Sequence, residues 1–171
     1  TSTGSGKAAY LESKYIVLKF AAGNIFTGKY LKTDGTNGVL GFGRPFTAFP
    51  SKLTFDYKYK SELINKCSDK NYEYLLGRPD SCCVYVALWH IGEGEHEEYQ
   101  GDKYPIVIRT EPGANQNLFD PNDPRVIAYG QFTQGNTVEN WTTETINIKY
   151  KNTMVEPTHI LVVASSSKFG D

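Results

Sequence analysis

Cys82-Cys-Val-Tyr-Val-Ala-Leu-Trp89 is the run whose reading decides the fold. It is apolar on both sides, with Cys83, Tyr85, Ala87 and Trp89 alternating against Val84, Val86 and Leu88, as in a strand covered on both faces. Such a strand belongs in the middle of a sheet. Upstream, Leu53-Thr-Phe-Asp-Tyr-Lys-Tyr59 sets Leu53, Phe55, Tyr57 and Tyr59 on one face and Thr54, Asp56 and Lys58 on the other, the period-2 pattern of a half-buried strand. Further strands are predicted over Ala8 to Glu12, Tyr15 to Phe20, Ile106 to Arg109, Val126 to Phe132, Thr143 to Tyr150 and His159 to Ser165. Turn residues such as Gly92, Gly94, Pro112, Gly113, Asn152 and Pro157 bound them. The segment from Tyr59 to Leu76 mixes charges with Leu63, Ile64, Tyr72 and Leu75 and holds a turn of helix at most. Many short strands joined by long polar connections predict an all-β fold, a two-sheet antiparallel β-sandwich of jelly-roll type.

Composition points the same way. Twelve Tyr and nine Phe against a single Met favour pleated, half-buried surfaces over helices. A chain of 171 residues buries one good core, and no repeat, linker or low-complexity tract marks a second, so residues 1–171 read as a single domain. Lys plus Arg (18) nearly cancels Asp plus Glu (19), which leaves no field to draw in nucleic acid or an anionic membrane. No apolar run is long enough to be a transmembrane segment and no signal peptide is present; the expectation is a monomeric extracytoplasmic piece whose targeting segment is absent or removed. The odd cysteine count, with Cys82 and Cys83 adjacent, implies no disulfide framework. The pair reads as small residues of a strand, because no second ligand pair follows to complete a zinc site.

Two longer stretches carry a family resemblance. Gly41-Phe-Gly-Arg-Pro-Phe-Thr-Ala-Phe-Pro-Ser-Lys-Leu-Thr-Phe-Asp-Tyr-Lys-Tyr59, with the earlier Ala21-Ala-Gly-Asn-Ile-Phe-Thr-Gly28, resembles the putative carbohydrate metabolism domain of surface-associated proteins of gut Bacteroidales. The likeness continues through Cys83 to Leu88, Phe119 to Gly130, Trp141 to Tyr150 and Pro157 to Asp171, nearly the whole chain. It implies a jelly roll similar to carbohydrate-binding modules, the C-terminal part of a longer lipoprotein at the outer-membrane surface or in the periplasm, often after an immunoglobulin-like domain. It implies no catalytic positions. The family pattern usually continues past Ser-Lys-Phe-Gly-Asp171 into a strand with an Asp-Asp pair, which in similar modules helps hold a structural calcium. That ion is the one cofactor the resemblance raises, and this sequence lacks the pair.

Several constellations call for separate readings. Gly4-Ser-Gly-Lys7 fails as a phosphate loop, since Ala8 follows the lysine and no strand precedes it. His90-Ile-Gly-Glu-Gly-Glu-His-Glu-Glu98 is rich in metal-ligand types, but Gly92 and Gly94 disfavour the helix that a His-Glu-x-x-His site needs, and the stretch reads as a solvated acidic loop. Glycoside hydrolysis needs two carboxyl groups about 5 to 9.5 Å apart. Asp56, Glu111 and Glu144 lie on or beside different strands, so a facing pair is geometrically open, while each also fits a solvent-facing position.

The sugar-binding expectation rests on aromatic rings that stack on C–H faces, with polar groups reading hydroxyls. Trp89 ends the central strand and opens into the polar loop from His90 to Asp102. Tyr99 and Tyr104 follow in that loop, and Arg109 stands on the next strand. These four are the candidate carbohydrate-binding residues, although Trp89 serves a core equally well. A noncatalytic glycan-binding module is the expected function, with a glycoside hydrolase and a structural or adhesive surface module as alternatives.

Overall fold

The computed structural model describes residues 6–16, 19–67 and 70–168. Residues 4 and 5 of the Gly4 to Lys7 run, residues 17 and 18 of the strand expected over Tyr15 to Phe20, and residues 169–171 of the C-terminal segment lie outside the described residues.

The chain begins with β1 (Lys14–Ile16), β2 (Lys19–Ala21), β3 (Asn24–Phe26), β4 (Gly28–Asp34), β5 (Asn37–Phe42) and β6 (Arg44–Pro45). It continues through β7 (Lys52–Tyr59), a 3-10 turn (Lys70–Leu75), β8 (Cys82–Trp89), β9 (Glu97–Tyr99), β10 (Asp102–Tyr104) and β11 (Ile106–Arg109). The last strands are β12 (Val126–Gln134), β13 (Val138–Asn147), β14 (Lys149–Tyr150) and β15 (His159–Ser165).

The run Cys82–Trp89 is central, as its two apolar sides require. It lies between β12 and β15 in an antiparallel sheet of order β14-β12-β8-β15-β3, with β6 also paired to β15. On one face of this sheet Ala87, Trp89, Leu161 and Val163 meet Phe42 of β5 and Ile106 and Ile108 of β11. These come from a second antiparallel sheet, β11-β5-β4. The antiparallel β-sandwich is therefore formed by these two sheets.

The other face is covered as well. Val86, Leu88, Ile127 and Ala128 pack on Ile146 and Ile148, with Leu53 and Phe55 against them. That cover is the two-stranded ribbon β13-β7, a further layer beyond the expected pair of sheets. Its strand β7 alternates half-buried and exposed residues throughout, as the pattern predicts, and Phe55 and Tyr57 set their rings edge-on to Phe132 at 5.6 and 5.2 Å.

The ribbon comes close at Gly130 of β12, where a Cβ would lie 2.5 Å from Ile146 Cγ2 and 2.9 Å from the Asn147 carbonyl oxygen. Gly130→Ala is therefore expected to force the layers apart and cost about 1–3 kcal/mol, read as a lower urea midpoint. A neutral substitution would mean that the ribbon is loosely seated.

Several expectations are corrected. Residues 8–12 form no strand; Ala8, Ala9 and Tyr10 are exposed, Tyr10 at 84%, and Leu11 is half-buried, so no period-2 face is buried there. Tyr15 to Phe20 is not one strand, because β1 and β2 pair with each other and Tyr15 faces Phe20. Thr143 to Tyr150 is split into the end of β13 and the short β14, which joins the central sheet. Strands β4 and β5 carry no clean alternation in the sequence. Their hairpin is closed by Gly35 at φ 61°, the left-handed conformation a two-residue hairpin loop demands.

Candidate functional site

Strand alternation splits the second sheet into two populations. Leu40, Phe42, Ile106 and Ile108 face the core, so Val39, Gly41, Val107 and Arg109 face outward. The β9-β10 hairpin covers that outer face, turning through Gln100 and Gly101 at φ 52° and 88°. Its Tyr104 packs with Val39 and Val107 and fills the space over Gly41, where any Cβ would collide with the ring. Tyr99 leans on the same cluster from its edge.

Arg109 stands where this cover stops. Beyond it the loop 110–117 leaves and returns, closed at its base because Arg109 and Asn117 exchange both backbone hydrogen bonds, at 2.8 and 3.0 Å. Thr110 ties the loop to β5, its hydroxyl accepting from Gly38 N at 2.9 Å. A cleft of about 580 Å³ opens between this loop, the β4-β5 turn and the β9-β10 hairpin, within the usual size of small-ligand sites. The turn contributes Lys32, Asp34 and Asn37, the hairpin Tyr99, and the loop Glu111, Asn115, Gln116 and Asn117.

Glu97 braces the cleft from below. Its carboxylate accepts from Val107 N at 3.1 Å and from Asn117 Nδ2 at 3.2 and 3.3 Å, and lies 3.7 Å from Arg109 Nη1. Arg109 Nη1 also donates to the Val107 carbonyl at 3.2 Å, with the side chain still 37% exposed. One edge of the guanidinium is thus held while the rest faces the opening. Lys32 donates to Asp34 at 2.8 Å, and that bond is the main reason its ammonium is held above the ordinary lysine range, with Tyr99 and Glu111 adding weaker attraction. The Asn115 and Gln116 side chains are exposed and make no hydrogen bond among the described residues.

Of the four residues expected to bind sugar, two meet here. Tyr99 and Arg109 both line the cleft. Trp89 does not: it is 1% exposed, edge-on to Phe119 at 5.7 Å, and neither face of its indole is open for stacking. Tyr104, at 7% exposure, is likewise a packing residue whose hydroxyl donates to Asp102 at 3.2 Å. Both corrections have one cause, namely that partners distant in sequence close over rings that the local pattern leaves undecided.

The carboxylates considered for hydrolysis do not converge. Asp56 pairs with Thr143 across the ribbon and accepts its hydroxyl at 2.5 Å, so Glu144, one residue on, points to the opposite face. Glu111 lies in the cleft, on the other side of the central sheet. In the His90 to Glu98 stretch, His90 Nδ1 contacts the Glu156 carbonyl at 2.7 Å, His96 packs edge-on to His159, and Glu97 braces the cleft. Among the described residues no three of His, Cys, Asp and Glu gather as metal ligands. Burial pushes the Cys82 thiol up to about 11, so the vicinal pair lies inert in the strand.

A smaller cleft, about 230 Å³, borders His90, Glu95 and Arg125. Its arginine is committed to structure: Nη1 donates to the carbonyls of Glu95 and Pro105 at 3.0 and 3.1 Å, and Nη2 to Asp123 at 2.6 Å. The Arg125 guanidinium in turn holds the Asp123 carboxyl below its usual range.

The sequence reading missed Lys32, Asp34, Asn37, Asn115 and Gln116. The Asp34-Gly35 dipeptide is a hairpin signal, and the amide-rich Asn115-Gln-Asn117 after Gly113 marks a polar loop.

Comparison with known proteins adds three findings. The family model described as "Putative carbohydrate metabolism domain" matches residues 1–171. A comparison with curated proteins gives no significant match. Two crystal structures share the fold, one of a putative glycoside hydrolase from Bacteroides thetaiotaomicron (TM-score 0.56, 19% identity, 87% of this chain) and one of a putative glycoside hydrolase from Bacteroides vulgatus (TM-score 0.57, 19% identity, 88% of this chain). This chain spans 41% and 57% of their respective lengths.

Proposed function

The chain belongs to the putative carbohydrate metabolism domain family, and on that premise we propose that it is a noncatalytic glycan-binding module whose site is the cleft between loop 110–117, the β4-β5 turn and Tyr99. One observation carries the reading: an aromatic ring, a half-exposed guanidinium and the amides of Asn115 and Gln116 converge on one open groove. Amides donate and accept together, which suits hydroxyl groups, while Tyr99 offers a ring to a sugar face.

The carboxylates there favour binding over hydrolysis. A general acid is made by burying a carboxyl group, whereas the Asp34 side chain is 58% exposed and tied to Lys32, and Glu111 is also exposed. The longer proteins that share the fold are described as putative glycoside hydrolases. In a protein of that kind such a module would hold glycan near a catalytic centre elsewhere, at the outer-membrane surface or in the periplasm.

The test is a glycan array on the purified domain, followed by calorimetry and product analysis on every hit. Binding with the glycan recovered intact is expected. Cleavage products would overturn the noncatalytic reading, and silence across a broad array would favour an adhesive or structural module.

A further inference from the structure

We propose that the cleft selects neutral, hydroxyl-rich glycans and that Glu111 is the residue that excludes uronate-bearing ones; this rests on the glycan-binding reading above. The cations that would attract an acidic sugar are already answered. Lys32 is bonded to Asp34 at 2.8 Å, and Arg109 stands 3.7 Å from Glu97 with one nitrogen on the Val107 carbonyl.

Glu111 makes no bond of that kind and adds only a weak attraction to Lys32. It makes no ion pair or hydrogen bond among the described residues, lies in the lining, and is exposed to whatever enters. Together with Glu97, the groups around the cleft comprise two cations, Lys32 and Arg109, and three anions, Asp34, Glu97 and Glu111. A glycan carboxylate placed beside Arg109 therefore enters a site whose balance is one negative charge in excess, and like charges brought together discriminate between partners. A neutral sugar meets the same Glu111 as a hydrogen-bond acceptor for its hydroxyls.

The experiment titrates glucose, mannose and galactose hexasaccharides, each beside its C6-carboxylate counterpart, into the unaltered domain and into E111Q. Where a neutral hexamer binds, its uronate counterpart is expected to bind about tenfold more weakly at low salt, and E111Q should narrow that ratio to about threefold or less. E98Q, which alters an exposed charge on the β9-β10 hairpin outside the lining, should leave the ratio unchanged.

A uronate that binds the unaltered domain as tightly as its neutral counterpart would overturn the selection while leaving the glycan-binding reading intact. An equal narrowing by E98Q would reduce Glu111 to general surface charge and overturn its assignment. No binding by any hexamer to either protein would remove this inference together with the reading beneath it.

Discussion

Trp89→Ala is expected to lower the free energy of unfolding by about 3–5 kcal/mol, the range for emptying a large aromatic from a core that cannot collapse around the gap. Trp89 is 1% exposed and closes the end of β8, with Phe119 set edge-on to its indole. Tyr85 stacks on the same Phe119 at 5.4 Å, so the loss would loosen a second ring. Collapse is hindered from both sides, since the Trp89 backbone is paired to Val126 and to His159. Urea unfolding of the variant beside the unaltered protein reads the cost directly. A loss under about 1 kcal/mol, accompanied by loss of glycan binding, would restore Trp89 as a stacking platform and displace the site from the cleft.

Arg109→Ala is the converse case, with a large expected effect on binding and a small one on folding. Removing charge-assisted hydrogen bonds worth roughly 1.5–3 kcal/mol should weaken glycan binding about 10- to 100-fold. The stability cost should stay within about 1 kcal/mol, as for other exposed ion pairs. The side chain is 37% exposed and its partner Glu97 keeps the bonds from Val107 N and Asn117. The backbone bridge to Asn117, which closes the loop, needs no side chain. Calorimetry with the array hit, paired with urea midpoints, separates the two effects. Unchanged affinity would take Arg109 out of the site; a collapse in stability would make it a brace instead.

Legibility in the sequence followed what local pattern can encode. Cys82 to Trp89 announced a strand buried on both faces because no polar residue interrupts it, and β7 announced its inner face through strict alternation. The β4-β5 hairpin was hidden, since its outward positions mix Lys29, Lys32 and Asp34 with Val39 and Gly41, and its inner ones are thinned by Gly28 and Gly38. For the candidate cleft, Arg109 and Tyr99 stand in the sequence as a charged and an aromatic residue close to one another in the chain, and both line it. Trp89 and Tyr104 were of the same chemical type, yet Phe119 covers one and the space above Gly41 admits the other. Neither event leaves a trace within a few residues of the ring. Lys32 and Asp34 enter the site only because β4 lies beside β5, and no spacing within β4 signals that pairing.

The most direct test of a glycan site in this cleft is backbone amide NMR of the labelled domain as the array hit is titrated in. The account predicts that shift changes concentrate at residues 32–39, 97–101 and 109–117, with the ribbon strands β7 and β13 unmoved. Shifts centred on the ribbon, or on the exposed Tyr72 and Tyr74, with the cleft silent, would contradict it.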